Sequence, residues 1–315
     1  MSRLSVIFTA MGGDDLHNCA PILQQKGENL EFVIVTDSVD AAAKLSAGDS
    51  RTKIVPHSGD VLSARNTGLK SATGDFVLFA DSSCHYSDDC FEKAAAVMES
   101  ENLDLLVLGL ESSDKTVRAF IDGNIITRSE YLETLPRFIT TGAGFDFVCN
   151  KVFAKHIIDS RSMQFDTENE LVAEKLFCCR YFAASHRIKC DSLLKCTLTA
   201  TEPSNLAGTD RYLAQGKVFS QALIDALQSK GLYSAAQNAI MDSYSKMLYR
   251  HLVLLCRQNS TLTDKQRADA LAAMSKTSDG TLLQLYLGNQ PDMKHKLAAQ
   301  LFKLGQWKLL IKTMG

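Results

Sequence analysis

Acidic and small polar residues follow several short apolar segments within the first 90 residues of the chain. Asp37 and Ser38 come directly after one such segment, and the run Asp81-Ser82-Ser83 comes after another. Carboxylate oxygens are the ligands that Mg²⁺ and Mn²⁺ prefer in proteins. These residue types at these positions suit chemistry in which a divalent cation or polar side chains stabilise negative charge on a phosphate group.

Two common phosphate-binding patterns are absent from the sequence. The chain has no Gly-x-Gly-x-x-Gly run and no Walker loop, so dinucleotide-binding and P-loop proteins lose their main support. A nucleotidyltransferase would also use an acidic rim with a metal, and it ordinarily carries a glycine-rich basic loop near its first strand. The corresponding segment here, Gly12-Gly13-Asp14-Asp15, is acidic. A nucleotidyltransferase therefore stays as the weaker alternative.

The apolar segments alternate with helical patterns, which predicts an open α/β sheet. They are continuously apolar, as expected of parallel strands that helices cover on both faces. Ligands of such sheets bind outside the carboxyl ends of the strands, where Asp37 and Asp81 fall. The predicted strands are residues 5–9, 31–36, 52–55, 76–80 and 103–110.

Helical patterns replace this alternation in the last third of the chain. We expect residues 1–205 to form the α/β domain and residues 206–315 to form an α-helical C-terminal subdomain. Within the first domain, Ser87 is predicted to cap a helix, and Asp122-Gly123 is typical of a hairpin turn.

Composition and charge narrow the range of partners. The net charge of −2 offers no electrostatic case for nucleic acid. The nine cysteines show no Cys-x-x-Cys and no Cys/His ligand spacing, which disfavours a disulfide framework or a structural zinc site and fits a reducing cytosol. No apolar run approaches the roughly 18 residues that a membrane span needs, so we expect a cytoplasmic protein.

Three motifs in order resemble those of the family 2 glycosyltransferases, which have the GT-A fold. In that family a strand ends in Asp-Asp-Gly-Ser, an Ala-Arg-Asn-x-Gly run follows, and a later strand ends in Asp-Ser-Asp-Asp. A weaker similarity continues further along the chain. The matching segments here are Val35-Thr36-Asp37-Ser38, Ala64-Arg65-Asn66-Thr67-Gly68, Phe79-Ala80-Asp81-Ser82-Ser83, Asn150-Lys151-Val152-Phe153 and Asn169-Glu170-Leu171.

The resemblance implies a glycosyltransferase that moves a sugar from a nucleotide-diphosphate donor, a UDP-sugar, to a hydroxyl of a saccharide or lipid-linked acceptor. Residues 1–110 would bind the nucleotide-sugar and residues 111–205 the acceptor. Mn²⁺ or Mg²⁺ would assist, held by Asp81 and Ser83. The implied donor-binding residues are Thr9, Asp37, Arg65, Asp81 and Ser82.

Glu170 would be the catalytic base by the same resemblance, with Glu168 and Asp166 as rivals. From the residues alone, Glu170 could instead complete a capping box with Thr167. Arg65 could be a helix residue that pairs with an acid rather than a nucleotide ligand. His85 is a further, weaker candidate as a metal ligand.

The sequence departs from the family pattern in three places. Ser83 stands where the family has its second metal-site aspartate, Thr36 stands for the first aspartate of the second strand, and the first strand ends in Thr9-Ala10-Met11-Gly12 instead of Pro-x-Tyr-Asn. A relative that binds a sugar or a partner without catalysis is therefore the main alternative.

Residues 291–315 combine lysines with apolar residues at helical spacing. Lys294, Lys296, Lys303, Lys308 and Lys312 accompany a single acid, Asp292, while Met293, Leu297, Leu301 and Leu304 recur on one side. Such a helix can lie in a membrane interface, which would give the protein a peripheral membrane contact. The alternative is a closing helix that packs on the C-terminal subdomain with its lysines in solvent.

Overall fold

The chain forms two compact units in its computed structural model. Unit 1 contains Met1–Thr201 and Ala222–Ala236, and unit 2 contains Glu202–Gln221 and Gln237–Gly315. The structure describes residues 2–11, 15–80, 82–113, 118–119, 122–125, 128–141, 144–199, 209–257 and 262–315. The predicted boundary at residue 205 lies outside the described residues.

Unit 1 is built on a mixed sheet. Its strands are Leu4–Ala10, Leu30–Thr36, Thr52–Pro56, Phe76–Ala80, Cys84–Tyr86, Leu105–Ser112, Arg118–Ala119, Gly123–Ile125, Lys151–Ala154 and Ile188–Leu198, numbered β1 to β10. Strands β3-β2-β1-β4-β9-β6-β10-β5 follow one another, with β7 beside β6 and β8 beside β10. The pairs among β1 to β4 are parallel, as is β6 with β10, whereas β9 and β5 run antiparallel to their neighbours.

Helices pack on this sheet and a helical region follows it, which confirms the predicted fold class. The helices of unit 1 that precede the C-terminal region are Ala20–Leu23, Val39–Leu45, Val61–Ser71, Cys90–Ser100, Arg128–Thr140, Lys155–Ser160 and Ala173–Ala184, numbered α1 to α7. The strands β1, β2 and β4 are buried along their whole length, as their continuously apolar sequences predict.

Helix α3 approaches β1 unusually closely because residue 68 is glycine. A Cβ added at Gly68 would stand 2.4 Å from Ile7 Cγ2 and 3.2 Å from Val35 Cγ2, both on strands under the helix. The glycine of the Ala-Arg-Asn-x-Gly motif thus sets how deep α3 sits on the sheet.

An acidic side chain is buried near the amino end of β2. Glu31 is 4% exposed, and its carboxylate accepts hydrogen bonds from Thr73 N and Thr73 Oγ1 at 2.8 Å each, and a short one from Ser5 Oγ. Burial raises the pKa of Glu31, but these hydrogen bonds and the nearby Arg3 outweigh it, so the pKa lies below its usual value.

One local prediction is wrong for unit 1. Ser87 does not cap α4, because the helix begins at Cys90 after Asp89, and Ser87 Oγ instead accepts a bond from Lys195 N. The predicted hairpin around Asp122-Gly123 includes residues 117, 120, 121 and 126, which lie outside the described residues. Of its described parts, β7 pairs with β6 and β8 pairs with β10.

Unit 2 is α-helical. Its core is formed by apolar side chains such as Leu248, Leu252, Leu287 and Phe302. No helix within the described ranges is long and apolar enough to cross a membrane. The helices from residue 209 onward are Thr209–Ser229, Tyr233–Cys256, Asp264–Met274, Ser278–Asn289, Met293–Lys303 and Trp307–Met314, numbered α8 to α13, and α8 runs from unit 2 into unit 1.

The predicted single helix at the C-terminus is wrong, because it is two helices. Gly305 has φ of 66°, a left-handed conformation that ends α12 before α13 begins at Trp307. Leu301 and Phe302 of α12 and Leu310 of α13 face the core of unit 2. One side of α12 and α13 therefore packs on the C-terminal unit, as the closing-helix alternative predicts.

Candidate functional site

The carboxyl ends of β1, β2 and β4 lie side by side, and we call this boundary of the sheet the carboxyl edge. The parallel register places Ala10 opposite Thr36 and Phe8 opposite Ala80, so the segments after these strands leave the sheet at neighbouring points. Asp81 directly follows Ala80 in the chain and lies outside the described residues. The carboxyl edge is where ligands of open α/β sheets bind.

Thr9 and Asp37 stand at the carboxyl edge in different environments. Thr9 is 4% exposed, and its Oγ1 is buried without a hydrogen-bond partner among the described residues. Asp37 is exposed, and its Oδ1 accepts one bond from Ser38 Oγ at 3.0 Å. Buried hydroxyls without partners are uncommon, and a carboxylate accepts up to four bonds. Both groups therefore have hydrogen-bonding capacity left for a ligand.

Ser82 and Ser83 form the turn between β4 and β5, and both are half-buried. Ser83 O accepts a hydrogen bond from Thr199 N at 2.8 Å, just past the end of β10. His85 Nε2 lies 3.2 Å from Thr199 Oγ1, so this histidine already has a partner on the same segment. The turn is thus held to the end of β10 through Thr199.

Helix α3 begins at the carboxyl edge with a well-formed cap. The carboxylate of Asp60 accepts bonds from Leu62 N and Ser63 N, each at 2.9 Å. The hydrogen bond from the Ser63 backbone is the main reason that the pKa of Asp60 lies below its usual value. Asp60 is therefore accounted for as a helix cap.

Arg65 on α3 is buried and forms an ion pair. It is 4% exposed, its Nη1 donates to Glu174 Oε1 at 2.6 Å, and its guanidinium carbon lies 5.5 Å from the centre of the Phe165 ring. The alternative in which Arg65 pairs with an acid is the arrangement found, inside the unit rather than at its surface. A buried ion pair of this geometry fixes the position of α3 relative to the helix that carries Glu174.

Glu174 is the acid that the sequence reasoning missed. It lies in the first turn of α7 with its side chain 28% exposed, and its Oε2 accepts from Val148 N at 3.0 Å. One carboxylate therefore joins α3, α7 and the segment before β9. The available signal was an acid in the first turn of an apolar helix, where the helix dipole favours negative charge.

Asn66 fixes the next segment of the chain to α3. Its Nδ2 donates to Phe165 O at 3.0 Å and its Oδ1 accepts from Phe165 N at 2.8 Å. The Phe165 ring stacks on Phe177 with ring centres 4.5 Å apart. Arg65 and Asn66 thus hold the segment that leads to the predicted base.

The three predicted base candidates lie together after Phe165. Glu168 and Glu170 are exposed, whereas Asp166 is half-buried and its Oδ1 accepts from Glu168 N and Asn169 N at 3.0 Å each. Partial burial raises the pKa of Asp166, but these hydrogen bonds lower it by more, so the pKa lies below its usual value. Asp166 thus serves as the acceptor of its own turn.

The predicted capping box of Thr167 and Glu170 is wrong. Glu170 begins a 3₁₀ turn, Glu170–Val172, whose cap residue Asn169 makes no side-chain cap bond. The turn is formed instead by Asp166, whose Oδ1 accepts from Glu168 N and Asn169 N.

The Asn150-Lys151 pair has a bracing role in the described structure. Both residues are fully buried. Asn150 Nδ2 donates to Leu108 O at 3.2 Å, and Lys151 Nζ donates to Asn150 Oδ1 at 2.9 Å and closely to Phe147 O. This motif of the resemblance ties the start of β9 to β6.

Comparisons with known proteins agree with this architecture. Residues 13–161 match the sequence profile described as glycosyl transferase family 2. The uncharacterized glycosyltransferase EpsJ of Bacillus subtilis is 22% identical over 53% of this chain, and the chain spans only 52% of the length of EpsJ. The poly(ribitol-phosphate) β-N-acetylglucosaminyltransferase TarP of Staphylococcus aureus is 23% identical over 96% of this chain and 94% of its own length.

Two solved structures share the fold. TarS of S. aureus, residues 1–349 in complex with UDP-GlcNAc, superposes with a TM-score of 0.63 at 15% identity, covering 99% of this chain and 90% of that one. The mannosyltransferase PcManGT of Pyrobaculum calidifontis, in complex with GDP-Man and Mn²⁺, gives a TM-score of 0.53 at 12% identity over 99% of this chain and 86% of that one.

The sheet and the helical region that follows it have the GT-A type fold of these structures. Residues 13–161, just under half of the chain, resemble the family 2 glycosyltransferases through this profile. Glu170 and Glu174 lie beyond the matched residues, so the profile itself assigns neither a role.

Proposed function

We propose that this chain transfers a sugar from a UDP-sugar to a hydroxyl of a saccharide or a lipid-linked acceptor. The observation that carries the proposal is Asp37, an exposed acid with unused acceptor capacity at the carboxyl edge of a domain that resembles family 2. UDP-GlcNAc is the first donor to test, because TarP is named as an N-acetylglucosaminyltransferase and the TarS structure is a complex with UDP-GlcNAc. Synthesis of a surface polysaccharide is the process that such relatives suggest.

The donor would be held by residues of the carboxyl edge. Asp37 would accept a hydrogen bond from the uracil ring, and Asp81 and Ser82 would contact the ribose or the phosphates. Thr9 Oγ1, which has no partner among the described residues, is available to a bound ligand. Arg65 would act by holding α3 against Glu174, so we place it as a positioning residue on the donor side.

A divalent cation would be held by Asp81 and Ser83. One carboxylate and one hydroxyl are few ligands for Mg²⁺ or Mn²⁺, which take about six oxygens. The donor set therefore fits a cation only when the phosphates of the nucleotide complete the coordination. When bound, the cation would stabilise the negative charge of the departing diphosphate. We expect metal binding to depend on nucleotide, and Ser83→Asp to remove part of that dependence.

Glu170 would take the proton of the attacking acceptor hydroxyl. It is exposed, so an acceptor can reach it, whereas both oxygens of Glu174 are engaged with Arg65 and Val148. Glu170→Gln should lower turnover about 10²-fold or more with an unchanged melting temperature. Glu168→Gln is the matched control, since that acid is also exposed two residues away. A loss in Glu168→Gln alone would move the assignment to Glu168.

The donor site is tested by UDP release from a panel of UDP-sugars, with and without Mn²⁺. Asp81→Ala should abolish turnover, and Asp37→Ala should weaken UDP binding. Asp40→Ala, an exposed acid in the first turn of α2, should leave both unchanged. Wild-type UDP affinity in both Asp37→Ala and Asp81→Ala would reject the site.

The main alternative is a family member that binds without catalysis, which the replacement of the second metal-site acid by Ser83 favours. The same assay separates the two: UDP binding with no sugar-dependent release of UDP, for any donor and any metal, would support the alternative. Release of pyrophosphate from a nucleoside triphosphate would instead indicate a nucleotidyltransferase.

We further propose that α12 and α13 give the protein a peripheral contact with an anionic membrane. Their apolar residues divide into two sets: Leu301, Phe302 and Leu310 are buried, whereas Met293, Leu297 and Leu304 are 78%, 50% and 66% exposed. The lysines nearby, which are all exposed, are Lys294, Lys296, Lys303, Lys308 and Lys312. An exposed apolar stripe beside lysines suits the surface of an anionic leaflet.

Vesicle co-sedimentation tests this contact. Deleting residues 291–315 would remove core residues such as Phe302, so surface substitutions are the better probe. The triple change Met293→Ser, Leu297→Ser and Leu304→Ser should abolish salt-sensitive binding to anionic vesicles. Leu285→Ser, which alters a 59% exposed leucine of α11, is the control. No binding of the wild-type chain at low salt would reject the contact.

A further inference from the structure

Three cysteine side chains from distant parts of the sequence meet inside unit 1. The sulfur atoms of Cys84, Cys149 and Cys196 all lie within 4.8 Å of one another. The three residues are 1%, 4% and 0% exposed. We call this group the thiol cluster.

The sheet itself brings the cluster together. Strands β5 and β10 pair antiparallel with Cys84 opposite Leu198 and Tyr86 opposite Cys196, so the two cysteines are diagonal neighbours on one face. Tyr86 Oη donates to Cys149 O at 2.9 Å, which holds the segment before β9 beside the same pair.

The remaining cysteines do not form such a group. All nine are buried and none is in a disulfide. Among the described residues, the thiol cluster is the single set of three or more His, Cys, Asp or Glu side chains whose ligand atoms converge in this way. A buried cysteine usually behaves as a small apolar side chain, and six of the nine fit that description.

We propose that Cys84, Cys149 and Cys196 together bind a zinc ion. Sulfurs that ligate Zn²⁺ at about 2.3 Å stand roughly 4 Å apart, so the observed limit of 4.8 Å needs an inward shift of less than about 1 Å. Each ligating thiol releases its proton to solvent as the ion binds. A fourth position remains for an oxygen ligand.

The chemistry of three sulfurs selects the class of ion. Thiolates prefer Zn²⁺ or Cu⁺ over Mg²⁺ and Mn²⁺, which prefer oxygen. Three thiolates leave one net negative charge around Zn²⁺ and two around Cu⁺, and buried net charge is costly. Zinc is therefore the favoured occupant, and the site is chemically distinct from a cation held by Asp81 and Ser83.

The ion would join three segments that are far apart in the sequence. Cys84 follows the Ser82-Ser83 turn directly, Cys149 precedes β9, and Cys196 lies near the end of β10. Bound zinc would thus stabilise the turn after β4 and the segment before β9, in which Val148 N donates to Glu174. The spacing of the cysteines along the sequence predicted no structural zinc site, because the ligands are brought together only by the sheet.

Metal analysis of the intact chain is the first test. Protein purified without chelators from zinc-supplemented cells should hold one zinc per chain by elemental mass spectrometry. Cys84→Ser, Cys149→Ser and Cys196→Ser should each bind zinc at least 100-fold more weakly in competition with a chromophoric chelator. Cys90→Ser and Cys190→Ser alter buried cysteines outside the cluster and should keep the zinc.

Cobalt titration keeps the test valid if a cysteine variant does not fold. Co²⁺ added to the metal-free wild-type chain should give the near-ultraviolet sulfur-to-cobalt absorption of a thiolate site, and Zn²⁺ should remove it. No such absorption, or zinc content far below one per chain after zinc supplementation, overturns the proposal. Zinc retained in all three cluster variants, or a disulfide within the cluster of the freshly isolated chain, also overturns it.

Discussion

Strand β2 carries an acid near each end, and the two acids have opposite surroundings. Glu31, near the amino end, is 4% exposed and accepts three hydrogen bonds from Ser5 and Thr73. Asp37, just past the carboxyl end, is exposed and accepts one bond from its neighbour Ser38. A saturated acid holds the structure together, whereas an exposed acid with spare acceptor capacity is available to a ligand.

The largest expected effect on stability is at Glu31. Glu31→Ala leaves buried partners, among them Ser5 Oγ, without their acceptor, and it should lower the free energy of unfolding by about 3 kcal/mol. Asp37→Ala should change it by no more than about 0.5 kcal/mol, since that side chain is exposed. Urea titration of both variants measures the difference. Equal losses would break the contrast between the two ends of β2.

The ion pair of Arg65 and Glu174 should behave asymmetrically. Glu174→Gln leaves the guanidinium of Arg65 buried without this carboxylate and should cost about 2 kcal/mol of unfolding free energy. Arg65→Met should cost less, because Glu174 is 28% exposed and water can solvate it. Asp159→Asn removes the exposed partner of Lys155 and serves as the surface control, at under about 1 kcal/mol. A larger loss in Arg65→Met than in Glu174→Gln would contradict this account.

Gly68→Ala should destabilise unit 1 by about 1–2 kcal/mol, because the added methyl group meets Ile7 Cγ2. The substitution should also reduce UDP affinity, since α3 carries Arg65 and must move outward. Gly288→Ala in α11 meets no atom within 4 Å and should be neutral or slightly stabilising. Thermal melting with a UDP titration measures both effects. A stability loss with unchanged UDP affinity would separate α3 from the donor site.

The smallest expected effect is on how the free energy of unfolding varies with pH, and it arises from Glu31. Its pKa in the folded chain lies below the ordinary value of 4.5, so its contribution is fully present above that pH. The contribution is lost as the pH falls through the folded-state pKa. The stability difference between wild type and Glu31→Gln should therefore shrink between about pH 6 and pH 3. A difference that stays constant over this range would mean that the Glu31 carboxylate is not preferentially ionised in the folded chain.

Local patterns predict the first 110 residues well, because the strands there are short, apolar and followed by polar residues. Asp37 is found at the carboxyl edge because a parallel sheet brings all strand ends to one side. Glu174 could not be predicted in the same way, since its partner Arg65 is 109 residues away and nothing in helical periodicity indicates which acid turns inward. The thiol cluster could not be predicted for the same reason, because strand pairing brings its cysteines together and their spacing in the sequence does not indicate it.

The mistaken predictions have a common physical cause. The Ser87 cap and the Thr167 capping box each follow a sound local rule. In both cases a different contact forms: Lys195 N donates to Ser87 Oγ, and Asp166 Oδ1 accepts from Glu168 N and Asn169 N to make its own turn. Local preferences of about 1 kcal/mol give way where a strand or a neighbouring carboxylate offers a better partner.

The way α8 is shared between the two units has a consequence for how the chain is made. Ala222–Ala236 belongs to unit 1, although the stretch from Glu202 to Gln221 before it belongs to unit 2. Lys230 hydrogen-bonds to Ser185 O, and Leu223 and Leu227 are buried. During synthesis, unit 1 cannot complete its packing when residue 201 leaves the ribosome, because residues 222–236 have not yet emerged. A nascent chain stalled before residue 236 would carry exposed apolar surface and need protection from a chaperone.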